Sequence, residues 1–317
     1  MSKYNRYKEF CENEDIAIYS QYWYLDAVAK DSWDVVLYEK NGEVWGSLPY
    51  IIKKKAIFKM IAQPKLTQYL GPYIKYPEGM KYHNRLSWEK EVIDALLEQL
   101  PKHHFFKQSF SHKITNWLPL YWKGFSQTTK YTYVIDKIDN LDKFWNESLR
   151  KNSRRAIKKA QKLVDVVESD DASLFYDMVI KSFKRQNLKP TYSREFFLNL
   201  DRVCKEHNAR KLLFAIDKES RKPHTALYLV YDKNRIYTLA SGADPELRKS
   251  GAETLLDWEA IKFAYESKRV LDYEGSMIEP IEYHARSMGY KQLPYFMITK
   301  SNSKLLKTIS CLLGKEL

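Results

Sequence analysis

From Arg235 to Gly275 the chain spells out a unit that few folds can absorb: strand, polar loop, helix, strand. The first strand, Arg235 to Ser241, runs into a polar loop from Gly242 to Gly251, and a helix follows from Ala252 to Ser267. Leu256, Ala260, Phe263 and Ala264 recur at helical spacing on one face of that helix. A second strand is expected from Val270 to Gly275. A loop that opens a helix in this way presents unpaired backbone N–H groups at the positive end of the helix dipole, a setting that favours phosphate. An ordinary strand–helix–strand unit of an α/β protein shares the same pattern.

Composition narrows the setting. A 317-residue chain with 44% hydrophobic residues has material for two cores. Its net charge of +13 favours polyanionic partners such as tRNA, nucleotide-linked donors, lipid pyrophosphates or a membrane surface, and plain solubility accounts for it equally. Cys11, Cys204 and Cys311 are odd in number and far apart, which gives neither a disulfide framework nor a metal spacing. No apolar leader opens the chain and no run is long enough to span a bilayer, so a cytoplasmic protein is expected.

The run from Asp244 to Ser276, DPELRKSGAETLLDWEAIKFAYESKRVLDYEGS, resembles the duplicated GNAT superfamily. That group holds the Fem-type peptidoglycan aminoacyltransferases and acetyltransferase-like proteins linked to polysaccharide synthesis. The resemblance implies an α/β chain of tandem GNAT-like domains, each a mixed sheet with packed helices. It also implies that donor contacts come from the strand (Tyr237, Leu239, Ser241) and the loop (Arg248, Ser250, Gly251, Ala252). The general base of such folds lies in a gap between strands. Asp272 and Glu274 share one strand face, so either carboxylate can serve if that face lines the gap. Tyr283 stands where these folds place a tyrosine that protonates a thiolate, and His284 is a rival for acid–base work. Gln68-Tyr69-Leu70-Gly71-Pro72 is similar to a stretch in the first domain of Fem-type proteins and implies a substrate contact at Tyr69.

Two departures separate the chain from its relatives. The coenzyme A loop prefers Gln/Arg-x-x-Gly-x-Gly/Ala, whereas here the last position is Glu253, a carboxylate that would fill the positive helix end itself. Fem-type enzymes usually carry Phe-Lys-x-x-Phe-Gly before their final strand. This chain has His284-Ala-Arg-Ser-Met-Gly289, without the lysine.

The rest of the chain reads as a repeat. Asn41-Gly42 marks a hairpin between strands at Trp33 to Glu39 and Glu43 to Lys54. A strand is expected from Thr67 to Lys75 and a helix from Trp88 to Leu100. Gly124-Phe-Ser-Gln127 matches Gly289-Tyr-Lys-Gln292, each after a short helix and before an aromatic strand, which points to two copies of one α/β unit. The expected domains are 1–139 and 140–317. A basic helix opens the second, and its Arg154 and Arg155 are candidates to bind substrate phosphate, with a solvated helix face as the alternative. The resemblance implies an N- or O-acyltransferase that moves an acyl group from acyl-coenzyme A to an amine or hydroxyl of a cell-envelope or polysaccharide precursor. The alternatives are an aminoacyl-tRNA-dependent peptidoglycan aminoacyltransferase, and an inactive duplicated fold that binds a nucleotide-linked glycan or RNA. No metal and no DNA partner are expected, and peripheral contact with a membrane is compatible with the charge.

Overall fold

Asn41 and Gly42 both have positive φ, 55° and 82°, the left-handed pair that a two-residue hairpin requires. They join β1 (Trp33–Lys40) to β2 (Glu43–Lys55) in the first sheet. The structure is a computed structural model that describes residues 1–275, 277–306 and 308. It divides into two compact units, one of Met1–Lys130 with Pro294–Leu317, the other of Tyr131–Leu293. Cys311 lies outside the described residues, and Cys11 and Cys204 are free and buried.

In the first unit α1 (Lys3–Asn13) and α2 (Tyr22–Ala29) pack Tyr7, Phe10 and Leu25 against Val35 and Leu37 of β1. Beyond β2 come β3 (Phe58–Ala62), the two-residue β4 (Tyr73–Ile74), α3 (Tyr82–Glu98) and β5 (Phe105–Ser109). β5 runs parallel to β3, so α3 is the crossover between them and buries Trp88, Val92, Ile93 and Leu96 on one face of the sheet. The expected strand over 67–75 shrinks to Tyr73–Ile74. Leu66 and Gly71 have φ of 50° and 110°, which no strand accommodates, and Leu70 donates its N–H to the Ser109 carbonyl at 2.7 Å outside any extended ladder. Next come the short α4 (Leu118–Trp122), Gly124 at φ 77° and β6 (Ser126–Ile135).

The second unit contains α5 (Leu141–Glu147), α6 (Lys151–Leu163), β7 (Val164–Glu168), α7 (Ala172–Arg185) and α8 (Arg194–Glu206). Three strands follow, β8 (Arg210–Asp217), β9 (Pro223–Tyr231) and β10 (Arg235–Ala243). The chain then forms α9 (Ala252–Ser267), β11 (Val270–Asp272), α10 (Glu279–Ser287) and β12 (Lys291–Ser301). β10 and β11 are parallel with α9 as their crossover, while β7 to β10 pair antiparallel. Ile157, Leu229, Ile236, Ile261, Leu271 and Met288 form a core with no exposed surface. The basic segment, expected as one helix, is two, because Arg150 adopts extended backbone (ψ 150°) and donates its N–H to Ser287.

Both units therefore contain strand, crossover helix and parallel strand, then a short helix, a left-handed glycine and a last strand. The last strand is what sets the boundaries. Within the second unit the end of β6 pairs with β11, Ile135 opposite Leu271. Within the first unit β12 pairs with β5, Met297 opposite Ser109. The sequence places a single break at 139/140, whereas the compact units change at 130/131 and again at 293/294. Among the described residues no helix is long and apolar enough to cross a membrane.

Candidate active site

β10 and β11 are partners for only three residues, ending at Tyr237 opposite Asp272. β10 then runs on alone along that edge to Ala243, and its register against β9 slips between Thr238 and Ala240, which leaves Leu239 as a bulge. A bulge bends its strand and leaves one residue out of the ladder. The two parallel strands therefore fork just past Tyr237, and the fork exposes strand edge inside the sheet.

Two buried polar atoms without a partner among the described residues sit just past that point. Thr238 is the first residue beyond the last pair, and its Oγ1 is enclosed with nothing to bond. Glu274 lies two residues beyond Asp272, and its Oε1 is likewise enclosed and unpartnered. Burial pushes the Glu274 carboxyl well above the usual carboxylate range. Its backbone is left-handed at φ 55°, a strained state for a non-glycine residue. The strain is held by its own N–H donating to Asp272 Oδ1 at 3.0 Å and by Gly275 N–H donating to Thr132 Oγ1 at 3.0 Å. Buried unpaired polar groups and local strain are both costly, and they gather where a protein binds or reacts.

Asp272 is otherwise committed. Its side chain is wholly buried, accepts from Thr132 Oγ1 at 2.5 Å, and pairs with Arg235 Nη1 at 2.8 Å. The sequence puts both carboxylates on one strand face and favours Glu274 over Asp272 as the base. The structure makes Asp272 the brace of the fork and leaves Glu274 without a bond at Oε1. Thr238 had no signal in the sequence, because the bulge that isolates it is a matter of register.

The donor loop is built against the basic helix. Gly251 has φ 82°, and a Cβ there would stand 2.8 Å from the Ala156 carbonyl of α6, so only glycine fits. Lys159 donates from Nζ to the Lys249 carbonyl at 2.6 Å. Ser250 is buried and its Oγ accepts the Ala252 N–H at 3.3 Å. The N–H groups of Glu253 and Thr254 make no bond among the described residues and remain at the start of α9. Glu253 is drawn aside by Arg248, whose Nη2 stands 3.5 Å from its Oε2. The carboxylate expected to oppose a phosphate is thus partly neutralised from within the loop.

The remaining candidates separate. Tyr237 is buried, with its hydroxyl 3.3 Å from Asp232 Oδ2, and Ser241 is exposed on the free run of β10. The strand end is closed by α7: a Cβ at Gly242 would stand 2.4 Å from the Met178 and Val179 backbone, and Ser182 Oγ accepts the Ala243 N–H at 2.9 Å. Arg154 is engaged by its own chain, its guanidinium donating to the Trp145 and Asn146 carbonyls near the end of α5. Arg155 is exposed and makes no bond among the described residues. Tyr69, expected at a substrate, is buried in the first unit with its ring edge-on to Tyr19 at 5.3 Å. Tyr283 is exposed on α10, flanked by the Arg150 and Arg286 guanidinium groups at 5.2 and 5.5 Å from its ring.

His284 gains a partner that its sequence position did not disclose. Its Nε2 is 2.6 Å from Oδ2 of the buried Asp257 on α9. Burial lowers the imidazole pKa, but the bond and charge of Asp257 outweigh it and raise the value above the ordinary one. No group of side chains able to hold a metal ion occurs among the described residues.

With this geometry in view, comparisons with known proteins agree. Residues 147–276 match the model of the acetyltransferase (GNAT) domain family. No curated protein matches. Solved structures share the fold at low identity. A FemX structure has a TM-score of 0.69 at 12% identity over 98% of each chain. L-PGS from Bacillus licheniformis has a TM-score of 0.57 at 10% identity over 98% of this chain and 97% of that one. A tandem GNAT protein from the clavulanic acid biosynthesis pathway has a TM-score of 0.53 at 8% identity over 95% of this chain and 94% of that one. The chain has the tandem GNAT fold of these structures, and residues 147–276 match the acetyltransferase (GNAT) domain.

Proposed function

We propose that the second unit transfers an acyl group from acyl-coenzyme A to an amine or hydroxyl of a cell-envelope or polysaccharide precursor in the cytoplasm. The observation that carries the reading is the forked strand pair with Glu274 just beyond it, its Oε1 enclosed and without a partner among the described residues. The donor supplies an activated thioester carbonyl. The free amides of Glu253 and Thr254 suit its pyrophosphate, and the edge of β10 from Thr238 to Ser241 suits its amide-bearing arm. Glu274, ionised, takes the proton from the attacking amine as the nitrogen–carbonyl bond forms and the carbon–sulfur bond breaks. Tyr283 is the residue offered for returning a proton to the departing thiolate.

The second reading is an aminoacyl-tRNA donor. It is favoured by α6, which lays Lys159 against the donor loop and leaves Arg155 exposed on the same helix. A domain named as part of a putative lysylphosphatidylglycerol synthetase from Agrobacterium fabrum shares the fold at 9% identity, which supports weighing this reading. The test is release of free thiol from acetyl-coenzyme A with a panel of amine acceptors, beside transfer from charged tRNA, for wild type and Glu274→Gln. Thiol release that falls at least a hundredfold in the variant supports acyl-coenzyme A. Transfer from tRNA alone promotes the second reading, and no transfer from either leaves a binding protein.

A further inference from the structure

In the sheet of the first unit α3 covers one face, while on the other α1 and α2 cover β1 and leave β3, β5 and β12 open. Successive side chains of a strand point to opposite faces. Ile61, Phe106, Phe110 and Ile298 enter the core beneath α3. Met60, Ala62 and Phe105, next to them in the chain, and Tyr295 and Met297 of β12 floor a cavity of about 470 Å³ on the other face. That volume falls within the roughly 300–1,000 Å³ of small-molecule sites.

The rim of this cavity is held in place. Gln63 accepts the Ser109 N–H at its Oε1 (2.8 Å) and donates from Nε2 to the Thr67 carbonyl at 2.5 Å, which pins the loop after β3 onto β5. Lys53 adds a bond to the Gln63 carbonyl at 3.2 Å, and Tyr24 donates to the carbonyl of Leu66.

The charge is one-sided. Lys107 and Lys130 are the charged residues of the lining, and no carboxylate joins them. Neither lysine makes an ion pair or hydrogen bond among the described residues. Burial and the nearby charge of Lys107 lower the pKa of Lys130. The sequence explains the imbalance: no Asp or Glu occurs between Glu43 and Glu78, between Glu98 and Asp136, or between Glu282 and Glu316. Those three acid-free stretches supply β3, β5 and β12. Two ammonium groups over an apolar floor match a phosphate, which carries up to two negative charges, better than a single carboxylate.

We propose that this cavity binds an organic phosphate, with the phosphate held by Lys107 and Lys130 and an apolar body lying on Met60, Phe105 and Met297. The proposal stands whichever donor the second unit takes. Two sources share this chemistry, a soluble phosphate ester and the headgroup region of an anionic lipid.

The test is calorimetric titration of the full chain with monomeric octyl phosphate, beside inorganic phosphate and octyl glucoside. A flotation assay with phosphatidylcholine vesicles, with and without phosphatidic acid, gives the lipid arm. Octyl phosphate should bind one to one, at least tenfold more tightly than either half-probe. Lys107→Gln and Lys130→Gln should each weaken it about tenfold or more, as loss of a charge-assisted bond implies. Lys113→Gln, an exposed lysine outside the cavity, should leave it unchanged. Met297→Gln should weaken octyl phosphate without affecting inorganic phosphate. Thermal melts confirm that each variant folds. Binding of octyl phosphate assigns a soluble ester or single lipid molecule, whereas binding only to phosphatidic acid vesicles, lost in the lysine variants, assigns a lipid surface. Either supports the site. No binding to any probe, binding that survives both lysine substitutions, or equal affinity for inorganic phosphate overturns it.

Discussion

Glu274 and Asp272 are two residues apart and have opposite fates, because their hydrogen bonds differ. Asp272 has a hydroxyl, a guanidinium and a backbone amide around it, so it is held as a buried ion-paired brace. Removing one partner of such a pair leaves an uncompensated charge, at a cost of about 3–5 kcal/mol. Asp272→Ala should lower stability by about that amount in urea unfolding, with the loss of activity following the loss of fold. Glu274 is the reverse case, since burial without a partner stabilises its protonated form. Its folded pKa lies above the unfolded value, so ionising it works against the folded state progressively as pH rises from about 4.3 towards the raised value. Glu274→Gln should therefore raise the melting temperature, and by more at pH 8 than at pH 5. As a general base, Glu274 must be ionised, so kcat/KM should rise with pH along a limb displaced above ordinary carboxylates. Glu274→Gln should remove that limb and lower the rate about 10²- to 10⁴-fold. A variant no more stable than wild type at pH 8 would contradict the first statement, and one equally active at every pH would contradict the second.

At the scale of elements, the fork depends on what grips its two arms. α7 grips β10 through Gly242, where a methyl group would meet helix backbone that cannot swing away. Gly242→Ala should cost about 1–3 kcal/mol, read from denaturant midpoints, and should weaken donor binding as the strand end shifts. α10 is tied to α9 by His284 and Asp257. Because the folded pKa of His284 is raised, its contribution is full below about pH 6.5 and is lost as pH climbs through the raised value. His284→Gln should thus lower the melting temperature more at pH 6 than at pH 8. Much of this was legible in the chain. The helix Ala252–Ser267 follows from its apolar spacing, and the hairpin at Asn41-Gly42 from its turn residues. The bulge at Leu239 and the isolation of Thr238 were not legible, since a slip in register leaves no mark in composition or period. Nor was the burial of Tyr69 or the bonding of Arg154 to α5. A tyrosine beside a turn and an arginine on a basic helix look the same whether they face a ligand or their own chain. β7 was missed as well, because Val164–Glu168 follows directly on a helix with no intervening turn signal.

Across the whole molecule, the repeat in the sequence marks where the strands change unit. Gly124 and Gly289 are both left-handed and both lie between a short helix and a final strand. Each final strand then pairs beside the crossover strand of its unit, β6 with β11 and β12 with β5. The two copies differ in what they present, a forked strand pair with a loop that suits phosphate in the second unit and an open lysine-bearing strand face in the first. The donor loop of the second unit is the central claim. A ligand that binds only the native state at about 100 times its Kd adds roughly 2.7 kcal/mol, enough to move the melting temperature by several degrees. Relieving the carboxylate at the start of α9, worth about 0.3–1 kcal/mol, should tighten binding by roughly two- to fivefold in Glu253→Ala. The deciding measurement is a thermal melt with acetyl-coenzyme A on wild type and Glu253→Ala, joined to amide hydrogen exchange on the same samples. The account predicts a shift that grows in the variant, with protection gained at residues 238–243 and 252–255. No shift in either protein, or protection confined to other segments, would contradict it.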